Sequence, residues 1–492
     1  MARARALTCS LALAALVLTA VTAATANAAT HGRAHYAALA KKGIADARKH
    51  WWNTSHHWYN DRLDDHDQNP LATIWSIVPL FEAIDGRAIG APTAKNRAAV
   101  ASFANFAERY WNPAVNGYGP YPGNRTASQT WFDDNGWWGL AFVDAYRATH
   151  KKRYLDDAAR ASRFIDAHGW DGKHGMWWTT FHLNHSLEAL ASASALAAEL
   201  YQYTGNSAYR KRARKYIGWA NHHANESERG LYATKEQPVL SYVEGAMIGA
   251  HLALCRKGDK GACKKARKLA NACFDKWQGK SPNHAPQFDT ILLRYVVQLG
   301  QQDHDPTWYE WARRVADQAE KRAERGGLFV RFWDGSKPTA HGDGAGRFRA
   351  GMVQTHAATV ALFAWVGAVD RPSGKARSPD PGAAERPKWG TSLTVEPKQE
   401  SGERVCVIQG HIRGYSSKAV SYDLVLDVQK NGTTYTKRSP GTAKAGQKTT
   451  DVATYIARGG GRPNAGPLEV TVTGRVSGKK YVTRRHLDVP WC

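Results

Sequence analysis

The chain has 492 residues, 43% hydrophobic and 22% charged, proportions that exclude a mainly disordered protein. That length exceeds a single compact core and implies two domains. A formal charge of +24 is compatible with anionic surfaces, but no reader motif accompanies it and nucleic acid is not an expected partner.

The chain opens as an export signal. Arg3 and Arg5 supply the positive start, "LALAALVLTAVTAA" is apolar, and Ala26-Asn27-Ala28 is a small-residue cleavage site. Residues 1–28 are therefore expected to be removed and the mature protein to be secreted. No later run is apolar enough to predict a transmembrane segment.

Residues 29–370 read as all-α. "LATIWSIVPLFEAI", "NRAAVASFANFAERYW", "NGWWGLAFVDAYRATH", "LEALASASALAAELYQYTG", "SAYRKRARKYIGWANHHA", "VEGAMIGAHLALCRK" and "THAATVALFAWVGAV" place apolar residues at three- and four-residue spacings. The spacing predicts roughly ten to twelve helices. Charged helices alternate with smaller, more apolar ones, which suits outer helices wrapped around an inner ring. An open solenoid shares that alternation. In "CRKGDKGAC", Cys255 and Cys263 flank a polar turn and are candidates for a disulfide, which leaves Cys273 buried and free. No cysteine has zinc-ligand spacing, and neither metal nor organic cofactor is expected.

Residues 371–390 are rich in Pro, Gly and charge and form a linker. Beyond it the period changes to two, as in "RVCVIQGHI", "SYDLVLDVQ" and "LEVTVTGRV", and Asn431-Gly432 marks a tight hairpin. Residues 391–492 are thus expected to form a small all-β sandwich, with Cys406 and Cys492 a further candidate pair. Lys and Arg outnumber Asp and Glu there about two to one. An accessory module for anionic cell-wall polymer and a purely structural appendage are equal readings.

The stretch "QTWFDDNGWWGLAFVDAY" carries the chemistry. On a helix, Asp133 lies one turn from Trp137 and Asp134 one turn from Trp138. An indole beside a carboxyl, together with a negative neighbour, favours the neutral acid. One acid then titrates high while the other stays ionised, the division that two-carboxylate glycosidic cleavage requires. The plain alternative is helix capping. Two other pairs serve as controls. Asp156-Asp157 reads as a solvated helix face. Asp64-Asp65 begins a loop that is no calcium site, because Pro70 stands where glycine is needed and Ser76 where the glutamate belongs.

The stretch "WFDDNGWWGLAFVDAY" resembles the central motif of glycoside hydrolase family 76, the endo-α-1,6-mannanases. The resemblance runs in order from residue 35 to 370, through "GMWW" at Gly175 to Trp178, "SYVEGAMIGA", "FDTILLRYV", "GLFVRFWDG" and "QTHAATVALFAWV". It implies an (α/α)6 barrel at residues 29–370, with Asp133 as nucleophile, Asp134 as general acid/base, and retention of configuration. Expected sugar-binding positions are Asn135, Trp138, Tyr118, Tyr121, Trp178 and Tyr242. Glu244, which stands where the family carries an amide, is a further expected sugar-binding position and a candidate third acid. The substrate implied is α-mannan or a related polysaccharide, cleaved by a monomer. A non-catalytic glycan-binding protein and a barrel transglycosylase are the alternatives; a repelling acid pair argues against the first.

Overall fold

The computed structural model describes residues 31–63, 70–224, 230–234, 237–335, 351–379, 389–400, 403–415, 419–430, 432–445, 448–458 and 468–487. The expected export signal, the Asp64-Asp65 pair, Asn431 and Cys492 lie outside these residues, as does the 380–388 part of the linker.

Twelve α-helices lie within the described residues: α1 (Arg33–Trp51), α2 (Ile74–Gly90), α3 (Ala94–Ala107), α4 (Phe132–Thr149), α5 (Arg153–His168), α6 (Leu187–Thr204), α7 (Ser207–His223), α8 (Ser241–Arg256), α9 (Lys260–Lys276), α10 (Pro286–Asp303), α11 (Pro306–Ala323) and α12 (Val353–Gly367). Local chemistry sets many of the starts. Thr73, Thr93, Ser186, Asn206, Asp259 and Asp305 each accept a backbone N–H of the first turn through the side chain.

Even-numbered helices are buried nearly all round; every residue of α12 is inside. Odd-numbered helices bury one stripe, as α5 does with Tyr154, Leu155, Ala158, Ala161, Phe164 and Ile165. The inner helices pack in the cycle α2–α4–α6–α8–α10–α12 and back to α2. The ring is therefore closed, an (α/α)6 barrel rather than an open solenoid. Glycine permits its tightest crossings. A Cβ at Gly245 of α8 would fall 2.6 Å from the backbone of Leu292 on α10. At Gly136 of α4 it would fall 2.6 Å from the Ser192 Cβ on α6.

The N-terminal ends of the inner helices meet at one end of the barrel. Trp75 of α2 lies 5.5 Å from Tyr242 of α8 and 5.9 Å from Phe288 of α10, ring centre to ring centre. Gln354 of α12 donates to the Trp75 carbonyl at 2.7 Å. Ser241 of α8 donates to Asp289 of α10 at 2.7 Å.

Deeper inside, Arg294 of α10 is fully buried and ion-paired to Glu82 of α2 at 2.8 Å and Asp144 of α4 at 2.5 Å. Arg147 reaches Asp144 at 2.6 Å, and the Arg294 guanidinium lies 4.6 Å from the Trp365 ring centre. Burial raises Glu82 to about 7 despite Arg294, and raises Asp85, whose oxygens have no hydrogen-bond partner, well above its usual range.

The Cys255–Cys263 disulfide is formed across the α8–α9 turn, with Cys273 free and buried. The second unit pairs a four-stranded sheet, β4-β3-β6-β7, with a three-stranded one, β5-β2-β1. Its strands are β1 (Gly390–Glu400), β2 (Glu403–Tyr415), β3 (Val420–Lys430), β4 (Thr433–Ala443), β5 (Lys448–Arg458), β6 (Leu468–Val476) and β7 (Lys479–Leu487). Alternate residues Leu424, Leu426 and Val428, with Val470 and Val472 beside them in the same sheet, face Ile408 and Ile412 of the other sheet to form a separate core. Lys430 pairs with Thr433 at the head of the β3–β4 hairpin, and Gly432 beside it takes φ +78°, which glycine permits.

Replacing Arg294 with Met removes one partner of two buried carboxylates. Urea unfolding is expected to show a loss of about 3–5 kcal/mol; a loss below about 0.5 kcal/mol would contradict a structural role for the network.

Candidate active site

Helix α4 begins without a side-chain cap, and Asp133 and Asp134 occupy its first turn. Position alone gives them the favourable end of the helix dipole. The surrounding packing then withdraws them from water. Asp134 is only 7% exposed, while Asp133 is half-buried with an Oδ1 that has no hydrogen-bond partner.

The two acids differ in what offsets burial. Burial and then the nearby Glu188 raise Asp133, but Trp178 and the first-turn backbone amides bond it and hold it at about 7. Burial and the charge of Asp133 both push Asp134 up, well above its usual range. The proton therefore resides preferentially on Asp134. First-turn amides offset part of the burial of Asp133, but nothing offsets that of Asp134.

Trp178 comes from the loop between α5 and α6, which is tied to the start of α4. Phe132 N donates to the Trp178 carbonyl at 2.9 Å, and Thr180 N to the Thr130 carbonyl at 3.0 Å. Trp178 is 43% exposed and lies at the mouth beside Asp133. Tyr242 is buried beneath the pair, accepting a hydrogen bond from Trp137 Nε1. Burial, and then the charges of Asp133, Glu188 and Asp134, raise its phenol far above the ordinary value. Tyr121 lies half-buried on the loop that leads into α4.

Four expected sugar contacts are placed elsewhere. Asn135 is fully buried; its Oδ1 accepts from Tyr118 N at 2.8 Å, and its Nδ2 donates to the carbonyls of Tyr118 and Trp131 at 2.9 Å. It pins the incoming loop to α4. Tyr118 is also buried and turned outward, donating to Glu108 at 3.2 Å and accepting from Arg160 at 3.0 Å. Trp138 is wholly enclosed by Phe81, Tyr110 and Phe142. Glu244 is not a third acid of the cleft. It is buried, accepts from Tyr232 N at 2.5 Å, and is raised to about 8 by burial, with Lys265 and Lys276 as its nearest charges.

The third acid is Glu188, on the first turn of α6. Gln237 Nε2 donates to its Oε2 at 2.8 Å and Ser186 Oγ at 2.9 Å. Its only sequence signal is its place just after the helix-capping Ser186, a common pattern. Gly136 supplies its proximity, because it lets α4 and α6 approach.

The sequence profile of glycosyl hydrolase family 76 matches residues 109–280, the span holding the acid pair, Trp178, Glu188 and Tyr242. No curated protein matches the chain. Among solved structures, the GH76 α-mannanase BT2949 of Bacteroides thetaiotaomicron aligns with a TM-score of 0.58 at 19% identity, covering 68% of this chain and 95% of that one. An inactive variant of the α-1,6-mannanase GH76A of a Salegentibacter species, two consecutive aspartates replaced by asparagine, is in complex with α-1,6-mannotriose. It aligns at 0.54 and 15% identity, covering 68% and 99%. A cellobiose 2-epimerase of Spirochaeta thermophila aligns at 0.50 and 14% identity, covering 68% and 96%, so the fold alone does not choose the reaction. The profile match lies over the acid pair itself, and residues 109–280 of this chain are similar to glycosyl hydrolase family 76.

Proposed function

We propose that this glycoside hydrolase is a secreted, retaining endo-α-1,6-mannanase in which Asp133 is the nucleophile and Asp134 the general acid/base. The observation that carries the reading is the unequal environment of two consecutive acids. Asp134 keeps its proton for the glycosidic oxygen, while Asp133, held by backbone amides and Trp178, is the one that ionises. Asp133 attacks the anomeric carbon as Asp134 protonates the leaving sugar, giving a glycosyl ester. Asp134 then deprotonates a water that attacks the same carbon and frees Asp133. Two inversions give retention.

The α-1,6-mannan specificity is supported by the profile match and by the mannotriose complex of the Salegentibacter enzyme. Endo action is supported by Trp178, Phe181 and Leu183, apolar residues 43%, 58% and 72% exposed on the loop at the mouth, where a continuing chain can lie. Export is supported by the signal-like start and the Cys255–Cys263 disulfide. No described helix is long and apolar enough to cross a membrane. For the β-sandwich we propose adhesion to anionic wall polymer, on its excess of Lys and Arg.

On linear α-1,6-mannan the protein is expected to release short oligosaccharides whose first anomer is the α form, seen by NMR. Asp133→Asn and Asp134→Asn are each expected to lower kcat at least about 10³-fold. Folded wild type that binds but does not cleave mannan would replace the hydrolase reading with glycan binding.

The pair also has a stability signature. A carboxyl near 7 in the fold and about 3.9 unfolded binds more protons when folded, so stability falls as pH rises from about 4 to about 7. The double Asn variant is thus expected to melt a few degrees above wild type at pH 8, with the gap closing towards pH 4. A variant less stable than wild type at pH 8 would refute the desolvation argument.

A further inference from the structure

The loop between α5 and α6 carries a polar cluster that the acid pair does not use. Asp171 Oδ1 accepts the backbone N–H groups of Lys173 at 2.8 Å, His174 at 2.6 Å and Gly175 at 3.2 Å. The carboxylate is thereby fixed and presents Oδ2 alone. Two imidazoles converge on that oxygen, His174 Nδ1 at 3.1 Å and His185 Nε2 at 2.6 Å. The three donor atoms lie within 4.8 Å of one another.

The two histidines sit on opposite arms of the loop. His174 belongs to the outgoing arm and is 58% exposed at the side chain, leaving room for water. His185 belongs to the returning arm, where its ring stacks on Trp177 at 3.7 Å and is held in plane. Both histidines border a cavity of about 550 Å³ that also reaches Ser186 and Gln237, the partners of Glu188.

We propose that Asp171, His174 and His185 bind a divalent transition-metal ion, zinc by the chemistry of their donors, which clasps the two arms of this loop. Two imidazoles and one carboxylate oxygen suit zinc and not calcium, which takes six or more oxygens. Bond lengths of about 2.0–2.2 Å in a tetrahedron set the donors roughly 3.3 Å apart. The His174 contact already fits, and the His185 contact opens by about 0.7 Å on the same geometry. Water fills the fourth position on the side of the cavity. Trp178 is paired with the returning arm, its backbone N–H donating to the Asn184 carbonyl at 2.8 Å, so the ion braces the residue whose side chain bonds Asp133.

The test is calorimetric titration of the full chain, freed of metal by chelator, with zinc chloride, using His174→Gln and His185→Gln. Thermal unfolding is followed in parallel. His35→Gln is the control for the other histidine cluster, His31, His35 and Glu320, between α1 and α11. Wild type and His35→Gln are expected to bind one zinc at this site with micromolar affinity and to melt higher with zinc. Both loop variants are expected to bind at least roughly ten-fold more weakly. His174 is exposed, so His174→Gln keeps the fold intact should His185→Gln not. Absence of zinc binding, equal binding by wild type and His174→Gln, or a melting shift with calcium alone overturns the proposal.

Discussion

Everything at the mouth of the barrel depends on withdrawing two consecutive carboxylates from water at the start of α4. An aspartate pair on a solvated turn titrates in the ordinary range and serves only as a cap. Here the closed ring of inner helices removes the solvent, and the pair is no longer symmetric. Asp133 retains amide and indole donors; Asp134 has none that offset burial and faces the charge of its neighbour. A difference of one side-chain position along the helix becomes a difference in protonation. The closed ring also explains why Gly136 belongs to the motif, since a side chain there would push α6, and Glu188 with it, away from Asp133.

The same barrel holds a second group of buried acids that does different work. Asp144 lies eleven residues beyond Asp133 on α4, roughly 16 Å along the axis. Asp144 and Glu82 face Arg294, and Glu199 accepts from Tyr295 at 3.0 Å. Those acids have permanent partners and tie α2, α4, α6 and α10 together. At the mouth, Asp133 Oδ1 has no hydrogen-bond partner and the pair is reached from solvent through its half-buried member. Ion-paired buried acids hold the ring together, and the half-buried acid at its open end, reached from solvent, is available for chemistry.

The fold was legible because its code is local. Helix period, Ser, Thr, Asn and Asp caps, and the switch to period two are each written within about ten residues. The acid pair was legible for the same reason. Glu188 was not, because its approach to Asp133 depends on a crossing between α4 and α6 that a single helix cannot reveal. Trp138, Tyr118, Asn135 and Glu244 show the converse error. An aromatic or polar residue near a motif reads alike whether it points to the cleft or the wall. Trp138 falls one position further round α4 than Trp137, enough to turn it from Tyr242 to the wall formed by Phe81 and Tyr110. Glu244 lies on an inner helix but is turned towards α9. Arg294 was visible only as part of a family stretch; its partners come from segments more than a hundred residues away.

The most direct measurement is the titration of the two carboxyls by ¹³C NMR, with aspartate labelled at Cγ and the signals assigned by their loss in Asp133→Asn and Asp134→Asn. The account predicts that neither titrates near the ordinary aspartate value, with Asp133 at about 7 and Asp134 higher. Two signals that both titrate near 4 would contradict it, and would return the pair to the role of a helix cap.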